Sequence, residues 1–205
     1  MLYPISHPTV LSGELVELRP LKHEHFAELD ALAKEPRIWE FYTVNGGNTE
    51  SLTKSLQGGL DDRDKGTQFP FVIYHKAHNK LIGSTRFIDI QPLHNKLEIG
   101  WTWLHPDYWA SAVNFECKLL LLTFAFESLG VYRVQFKVDV LNMRSRKAVE
   151  KIGGIAEGIL RNDMVRENGT KRNSVYFSII ESEWPETKKR ITALIQTKLS
   201  AQAAH

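Results

Sequence analysis

A strand, a short loop and the start of a helix could together form an anion-binding site near the middle of this chain. Residues 96–104 alternate like a strand, residues 107–113 form a loop, and an apolar stretch from about Asn114 predicts a buried helix. Since the first amides of a helix lack intrahelical acceptors, a pyrophosphate over residues 110–115 would satisfy them and the helix dipole. Three small side chains leave the approach open: Ala110, Ser111 and Ala112. By itself, the loop is more typical of an ordinary helix start with Asn114 as N-cap.

A second candidate lies at the start of a helix predicted over residues 142–153. Ser145 follows the same helical spacing as the apolar residues Ala148, Val149 and Ile152, so its hydroxyl points inward. There it could serve a ligand, or bond back to the carbonyl one turn earlier. Asn142 could likewise contact a ligand or cap the helix. The residues alone leave these alternatives open.

A third candidate is the loop over residues 36–48. It combines the rings of Trp39, Phe41 and Tyr42 with the run Asn45-Gly46-Gly47-Asn48, whose glycines free the backbone. Apolar rings beside such a backbone are typical of a ligand pocket. They are equally typical of rings that cover a core next to a turn.

The elements that must position these residues alternate between strand and helix patterns. Strands are predicted at residues 15–21, 68–75, 80–90, 96–104 and 131–140, with a further pair over 155–180 that turns at 167–170. Helices are predicted around Phe26 and Leu29, over 115–129 with Gly130 as C-cap, over 142–153, and in a tail from Trp184. We therefore predict one α+β (mixed α/β) domain over residues 1–205, in which 184–205 form a C-terminal helical tail.

Composition excludes several classes of protein. The formal net charge of +2 gives no field that would favour a polyanion, so a nucleic-acid partner is not expected. The single cysteine, Cys117, cannot form an internal disulfide, which favours a reducing cytoplasm. No apolar run reaches the roughly 20 residues that cross a bilayer, and the scattered histidines have no metal-site spacing. We expect neither a membrane protein nor a metal centre, and read the basic residues 188–190 as the solvated edge of a docking helix.

The motifs resemble, in order, those of the GNAT superfamily of N-acetyltransferases. They are Leu97-Glu98-Ile99-Gly100-Trp101, His105-Pro106-Asp107-Tyr108-Trp109, Asn114-Phe115-Glu116-Cys117-Lys118, Asn142-Met143-Arg144-Ser145 and Glu150-Lys151-Ile152-Gly153-Gly154. The resemblance covers residues 11–184. Within the superfamily, Val16-Glu17-Leu18-Arg19-Pro20 and Glu183-Trp184-Pro185 resemble the branch of ribosomal-protein serine and alanine N-acetyltransferases.

The resemblance implies a twisted, mostly antiparallel sheet that is splayed at its centre, flanked by helices, with acetyl-coenzyme A (acetyl-CoA) between strands 96–104 and 131–140. Main-chain groups of Trp101, Thr102, Trp103 and Leu104 would bond the pantetheine arm. The pyrophosphate would lie over Trp109, Ala110, Ser111, Ala112, Val113 and Asn114. Asn142 would contact the pantetheine arm.

Two positions depart from the family pattern. Ala112 lies where the family's phosphate loop has a glycine, so its β-carbon predicts a weaker or shifted pyrophosphate contact. Val149 lies where many members have the tyrosine that protonates the leaving thiolate. Relatives in this branch often have a serine instead, and Ser145 inherits that role.

For the base that takes the proton of the acceptor amine, we choose Glu98. It alternates with Leu97, Ile99, Trp101 and Trp103, and is expected to face the cleft together with Gly100 and Thr102. The matching strand position carries the base in the histone acetyltransferase branch. An ordinary carboxylate paired to a basic neighbour is the alternative. Cys117 lies in the most apolar helix, where a thiolate is disfavoured, so direct transfer is expected.

The acceptor is expected between Trp39, Phe41, Tyr42 and a hairpin that carries Asp163. Relatives that modify protein N-termini have a carboxylate at the position of Met164, which leaves Asp163 as the alternative base. The acceptor is thus a protein N-terminus or a small amine such as a polyamine, an amino acid or an aminoglycoside. A non-catalytic CoA-binding module and an RNA-associated scaffold are the rival functions, and a homodimer is left open.

Overall fold

The computed structural model describes residues 5–203, as a single sheet with helices on both faces. Residues 1–4 and 204–205, which the predicted domain also includes, lie outside the described residues. The strands are β1 Leu11–Ser12, β2 Val16–Pro20, β3 Phe69–His75, β4 Lys80–Gln91, β5 Lys96–Leu104, β6 Arg133–Asp139, β7 Ile155–Val165 and β8 Lys171–Ile180. The α-helices are α1 Phe26–Leu32, α2 Thr49–Asp64, α3 Val113–Thr123, α4 Met143–Lys151 and α5 Trp184–Ala203.

The strands form one sheet in the order β1-β2-β3-β4-β5-β6-β8-β7. Neighbouring strands are antiparallel except for β5 and β6, which run parallel. That parallel pairing covers only Lys96 to Glu98 on β5 and Arg133 to Gln135 on β6. Beyond these residues the two strands separate and leave an open wedge in the sheet, as the family resemblance implied.

Two hydrophobic cores lie on the two faces of the sheet. The larger one contains Leu97 and Ile99 of β5 together with α3 and α5, whose Ile191 and Ile195 are buried. The smaller one contains Trp103 of β5 together with α1 and α2. Within residues 5–203, no helix is both long enough and apolar enough to cross a membrane.

Helix α2 has no counterpart in the sequence prediction. The Asn48 side chain caps it by accepting from the Ser51 amide at 3.0 Å, and Leu52, Leu56 and Leu60 are buried along one face. Their spacing of four residues was the available signal. The charged run 61–64 is the last turn of this helix.

A β-bulge in β5 changes which residues face the wedge. Trp101 has φ +51°, and the register on β4 passes from Trp103 opposite Ser84 to Gly100 opposite Arg86. The extra residue moves each later side chain of β5 to the opposite face of the sheet from the one that regular alternation would give. The prediction that Thr102 shares a face with Glu98 is therefore wrong, because Thr102 turns towards α3 and bonds a side chain there. Leu97 and Trp103 likewise belong to opposite cores.

Candidate active site

Glu98 lies where the sheet divides, as the last β5 residue that pairs with β6. Its side chain is buried, and its Oε2 accepts a hydrogen bond of 2.8 Å from Nε2 of Gln135. Burial raises the pKa of the Glu98 carboxyl, because desolvation outweighs the stabilising bond from Gln135. A carboxylate with a raised pKa is a stronger base than an ordinary glutamate, as a general base requires.

A band of polar side chains continues from Glu98 across β6 and the hairpin of β7 and β8. The Lys137 ammonium lies 5.4 Å from the ring centroid of Tyr176, whose hydroxyl donates to Oδ1 of Asp163 at 3.4 Å. Oδ2 of Asp163 is buried and has no hydrogen-bond partner among the described residues. Arg172 donates to the Lys137 carbonyl at 3.5 Å. Lys137 lies within electrostatic reach of both carboxylates, Glu98 and Asp163.

The three aromatic residues of the loop have different places. Trp39 is buried in the smaller core, where its indole donates to the Ala33 carbonyl at 2.7 Å, so for this ring the core-covering alternative applies. Phe41 is half-buried. Tyr42 packs 6.2 Å from Trp101, centroid to centroid, and its hydroxyl donates to the Thr102 carbonyl on the free edge of β5. Tyr42 is thus the ring that reaches the wedge.

The aromatic loop and the β7-β8 hairpin touch one another. The Glu167 amide donates to the Thr43 carbonyl at 3.0 Å, and the Asn45 amide donates to Oε2 of Glu167 at 2.9 Å. These two bonds join the segments between which the acceptor was expected.

The loop before α3 offers free amides, although its details differ from the prediction. Ala112, not Asn114, is the N-cap residue, and the Ser111 hydroxyl accepts from the Val113 amide at 3.2 Å. The amides of Asn114 and Phe115 have no acceptor among residues 5–203. They remain able to bind an anion at the start of the helix.

The missing glycine has a simple geometric account. Ala112 has φ −68° and its methyl group is buried in the core, so the backbone here does not require glycine. The residue in the left-handed region is Ala110, with φ +58°. The conformation that favours glycine therefore falls two residues earlier in this loop.

The Ala110→Gly substitution is expected to raise the free energy of unfolding by about 0.5–1 kcal/mol, because it removes the left-handed strain of an alanine. Ala112→Gly is the matched control, and is expected to lower it by about 1 kcal/mol, because a buried methyl group is lost. Denaturant unfolding measures both. Equal effects of the two substitutions would contradict this account of the loop.

Trp109 fixes the loop against β5 and carries a cation on its face. Its indole donates to the Leu104 carbonyl at 2.8 Å. The guanidinium of Arg144, from the first turn of α4, lies 3.5 Å from the centroid of the Trp109 ring. A positive charge thus stands on the loop that leads into α3, where it could pair with an anion.

Comparison with known proteins identifies the family. Residues 16–155 match the model described as acetyltransferase (GNAT) domain. The chain belongs to the GNAT acetyltransferase family. A Bacillus subtilis (strain 168) protein named "Putative ribosomal N-acetyltransferase YdaF" is 32% identical over 83% of this chain and 92% of its own.

Solved structures agree with this assignment. A "putative acetyltransferase" from T. thermophilus is 34% identical with a TM-score of 0.81, over 92% of this chain and 98% of its own. A "GCN5-related N-acetyltransferase from Brucella melitensis" is 25% identical with a TM-score of 0.84, over 94% and 87% of the two chains. The protein is an N-acetyltransferase that moves the acetyl group of acetyl-CoA, its co-substrate, to an amine.

The hydrogen bonds in the first turn of α4 of this GNAT acetyltransferase show whether Asn142 caps the helix and whether Ser145 bonds back to the preceding turn. Oδ1 of Asn142 accepts from the Ser145 amide at 2.9 Å, so Asn142 is the N-cap, while its amide NH₂ has no bond within residues 5–203. The Ser145 hydroxyl is half-buried and makes no hydrogen bond to any described residue, so the bond back to the preceding turn is not formed. Both side chains keep a donor that no described residue accepts.

Sequence reasoning gave no role to three buried charged residues of this acetyltransferase. Glu116 accepts the amides of Glu14, Leu15 and Val16 at 2.9, 2.8 and 2.8 Å. Lys118 donates to the Thr102 hydroxyl at 2.9 Å. Arg86 holds α2 to β4 through the Ser55 carbonyl at 3.0 Å. The signal for the first two was present, since they are charges that interrupt the apolar helix 115–129.

Proposed function

We propose that Glu98 is the general base of this N-acetyltransferase and that the acceptor is the α-amino group of a protein N-terminus. The observation that carries the assignment of the base is a buried carboxylate of raised pKa where β5 and β6 separate. The name of the B. subtilis relative, a ribosomal N-acetyltransferase, supports the acceptor. The acceptor enters from the side of Asp163 and Tyr42.

Glu98 and Ser145 have separate roles in the transfer of the acetyl group. The amine nitrogen bonds to the thioester carbonyl carbon, the carbon–sulfur bond breaks, and the sulfur leaves with the electron pair. Glu98 accepts the proton that the amine gives up, and the Ser145 hydroxyl donates a hydrogen bond to the sulfur. Transfer is direct, because Cys117 is fully buried and burial raises the pKa of its thiol to about 12.

Acetyl-CoA lies in the wedge between β5 and β6, held by main-chain and side-chain donors. The amides of Asn114 and Phe115, with Arg144, bind the pyrophosphate. Asn142 binds the pantetheine arm through its NH₂ group. The carbonyls of Thr102 and Leu104 already accept from Tyr42 and Trp109, and each keeps a second lone pair for the pantetheine amides.

Substitutions at the start of α4 are expected to separate binding from chemistry. Asn142→Ala should raise the KM for acetyl-CoA and also cost about 1 kcal/mol of stability, since the cap is lost. Asn142→Asp keeps a capping oxygen but lacks the NH₂ group, so it should raise the KM without loss of stability. Ser145→Ala should lower kcat instead. Steady-state kinetics and thermal unfolding measure these effects, and wild-type kinetics in Asn142→Asp would remove Asn142 from the cofactor site.

A competition experiment tests the acceptor. The enzyme is incubated with acetyl-CoA and an equimolar mixture of short peptides with free N-termini and small amines, including a polyamine and an amino acid. Mass spectrometry of the products is expected to find the acetyl group on peptide N-termini. Acetylation confined to the small amines would refute the proposed acceptor and leave Glu98 as the base untouched.

A further inference from the structure

Lys118 places an amine between the two diverging strands. It projects from α3, is 7% exposed, and its Nζ lies 2.9 Å from Oγ1 of Thr102 on β5 and 5.8 Å from the ring centroid of Phe136 on β6. Thr102 and Phe136 both follow the last paired residues of their strands. The amine therefore lies at the α3 side of the wedge.

This amine has no carboxylate partner among the described residues. It takes part in no ion pair there, and the neighbouring Glu116 is engaged by the amides of residues 14–16. Of the three hydrogens of the ammonium, one is used by Thr102, whose hydroxyl is held by Thr85 at 2.7 Å. An unpaired buried cation costs stability, and an apolar side chain of similar length would fill the same space more favourably.

The structure assigns Lys118 a role in the transfer, as the hydrogen-bond donor to the carbonyl oxygen of the acetyl thioester. That oxygen gains negative charge as the amine attacks, and a fixed cation nearby stabilises it. This inference rests on the proposed placement of acetyl-CoA in the wedge. It adds a donor from α3 to the base on β5 and the serine on α4.

The protonation of Lys118 is set mainly by its burial. Desolvation lowers the pKa of Lys118 to about 8, and the neighbouring thiol of Cys117 is the other contributing group. Glu98 and Lys137 project from the opposite face of β5 and β6, and Arg86 of β4 is bonded to α2. The donor role needs the ammonium, so kcat should fall as the pH rises through about 8.

The test compares Lys118→Met with Lys189→Met, which removes an exposed lysine of α5 with a side chain that is 77% exposed. For Lys118→Met we expect kcat to fall by about 10²–10³-fold, the alkaline limb of the pH profile to disappear, and the melting temperature to stay or rise. Thr102→Val, which keeps the amine but removes its anchor, should give an intermediate loss of kcat. The control should match the wild type in kcat and pH profile.

Calorimetry with CoA separates this inference from the proposed function. If wild-type protein does not bind CoA, the placement of the cofactor fails. If it binds CoA and Lys118→Met keeps full kcat with an unchanged pH profile, only the role of Lys118 is refuted. A Lys118→Met variant that loses activity together with a lower melting temperature would show a structural residue and also overturn the role.

Discussion

Glu98→Gln is expected to lower kcat by on the order of 10²–10⁴-fold, the usual contribution of general base catalysis. The amide keeps the size of the side chain and its contact with Gln135, but it cannot accept the proton of the amine. Activity of the wild type should fall as the pH drops through the raised pKa of Glu98, since the protonated carboxyl is no longer a base. The variant lacks this acid limb, and its loss is partly relieved as the fraction of free amine grows towards a pH of about 8, below the alkaline limb set by Lys118.

Stability provides the control for this variant. Because the folded-state pKa of Glu98 is raised, its contribution to stability is present at low pH and is lost as the pH rises through that pKa. Because glutamine does not ionise, Glu98→Gln removes this loss of stability. The melting temperature near neutral pH should therefore not decrease. If Glu98→Gln keeps full activity while Asp163→Asn loses it, the base lies on the β7-β8 hairpin.

Glu116→Ala is expected to lower the free energy of unfolding by about 3–5 kcal/mol. The buried carboxylate accepts three amides from the turn that leads into β2, and its removal leaves the buried Val16 amide without an acceptor. For a chain of this length the melting temperature should fall by roughly 10 °C. Differential scanning calorimetry measures the change.

Two further variants define the origin of that loss. Glu150→Ala removes an exposed glutamate of α4 and should change the free energy of unfolding by less than about 0.5 kcal/mol. Glu116→Gln keeps one acceptor oxygen, so its loss should be intermediate. If Glu116→Ala were as stable as Glu150→Ala, the three bonds would not hold β2 against α3.

Much of the scaffold follows from local patterns. The bounds of β5 were predicted residue for residue, because alternation ends there at Leu104, before His105 and Pro106. The hairpin of β7 and β8 was predicted from the turn signal at residues 167–170. The prediction of the wedge between β5 and β6 came from the family resemblance, since no local sequence pattern shows where the pairing of two strands ends.

The features that the sequence missed depend on distant partners or on single backbone angles. The partners of Glu116 are the amides of residues 14–16, which precede it by 100 to 102 positions in the sequence. No pattern close to Glu116 in the chain could therefore identify them. The bulge at Trp101 arises from one positive φ at a residue that is not glycine, and it reversed the predicted face of Thr102. Once Thr102 was placed on the wrong face, its bond to Lys118 could not be anticipated.

Acceptor-dependent thiol release tests the account most directly. Free CoA is followed at saturating acetyl-CoA with and without peptide N-termini or small amines, and the mass of acceptor and enzyme is measured afterwards. We predict release only when an amine is present, with one acetyl group on the amine for each thiol. Binding of CoA without release for any amine, or an acetyl group found on Cys117, would contradict direct transfer from acetyl-CoA to an amine.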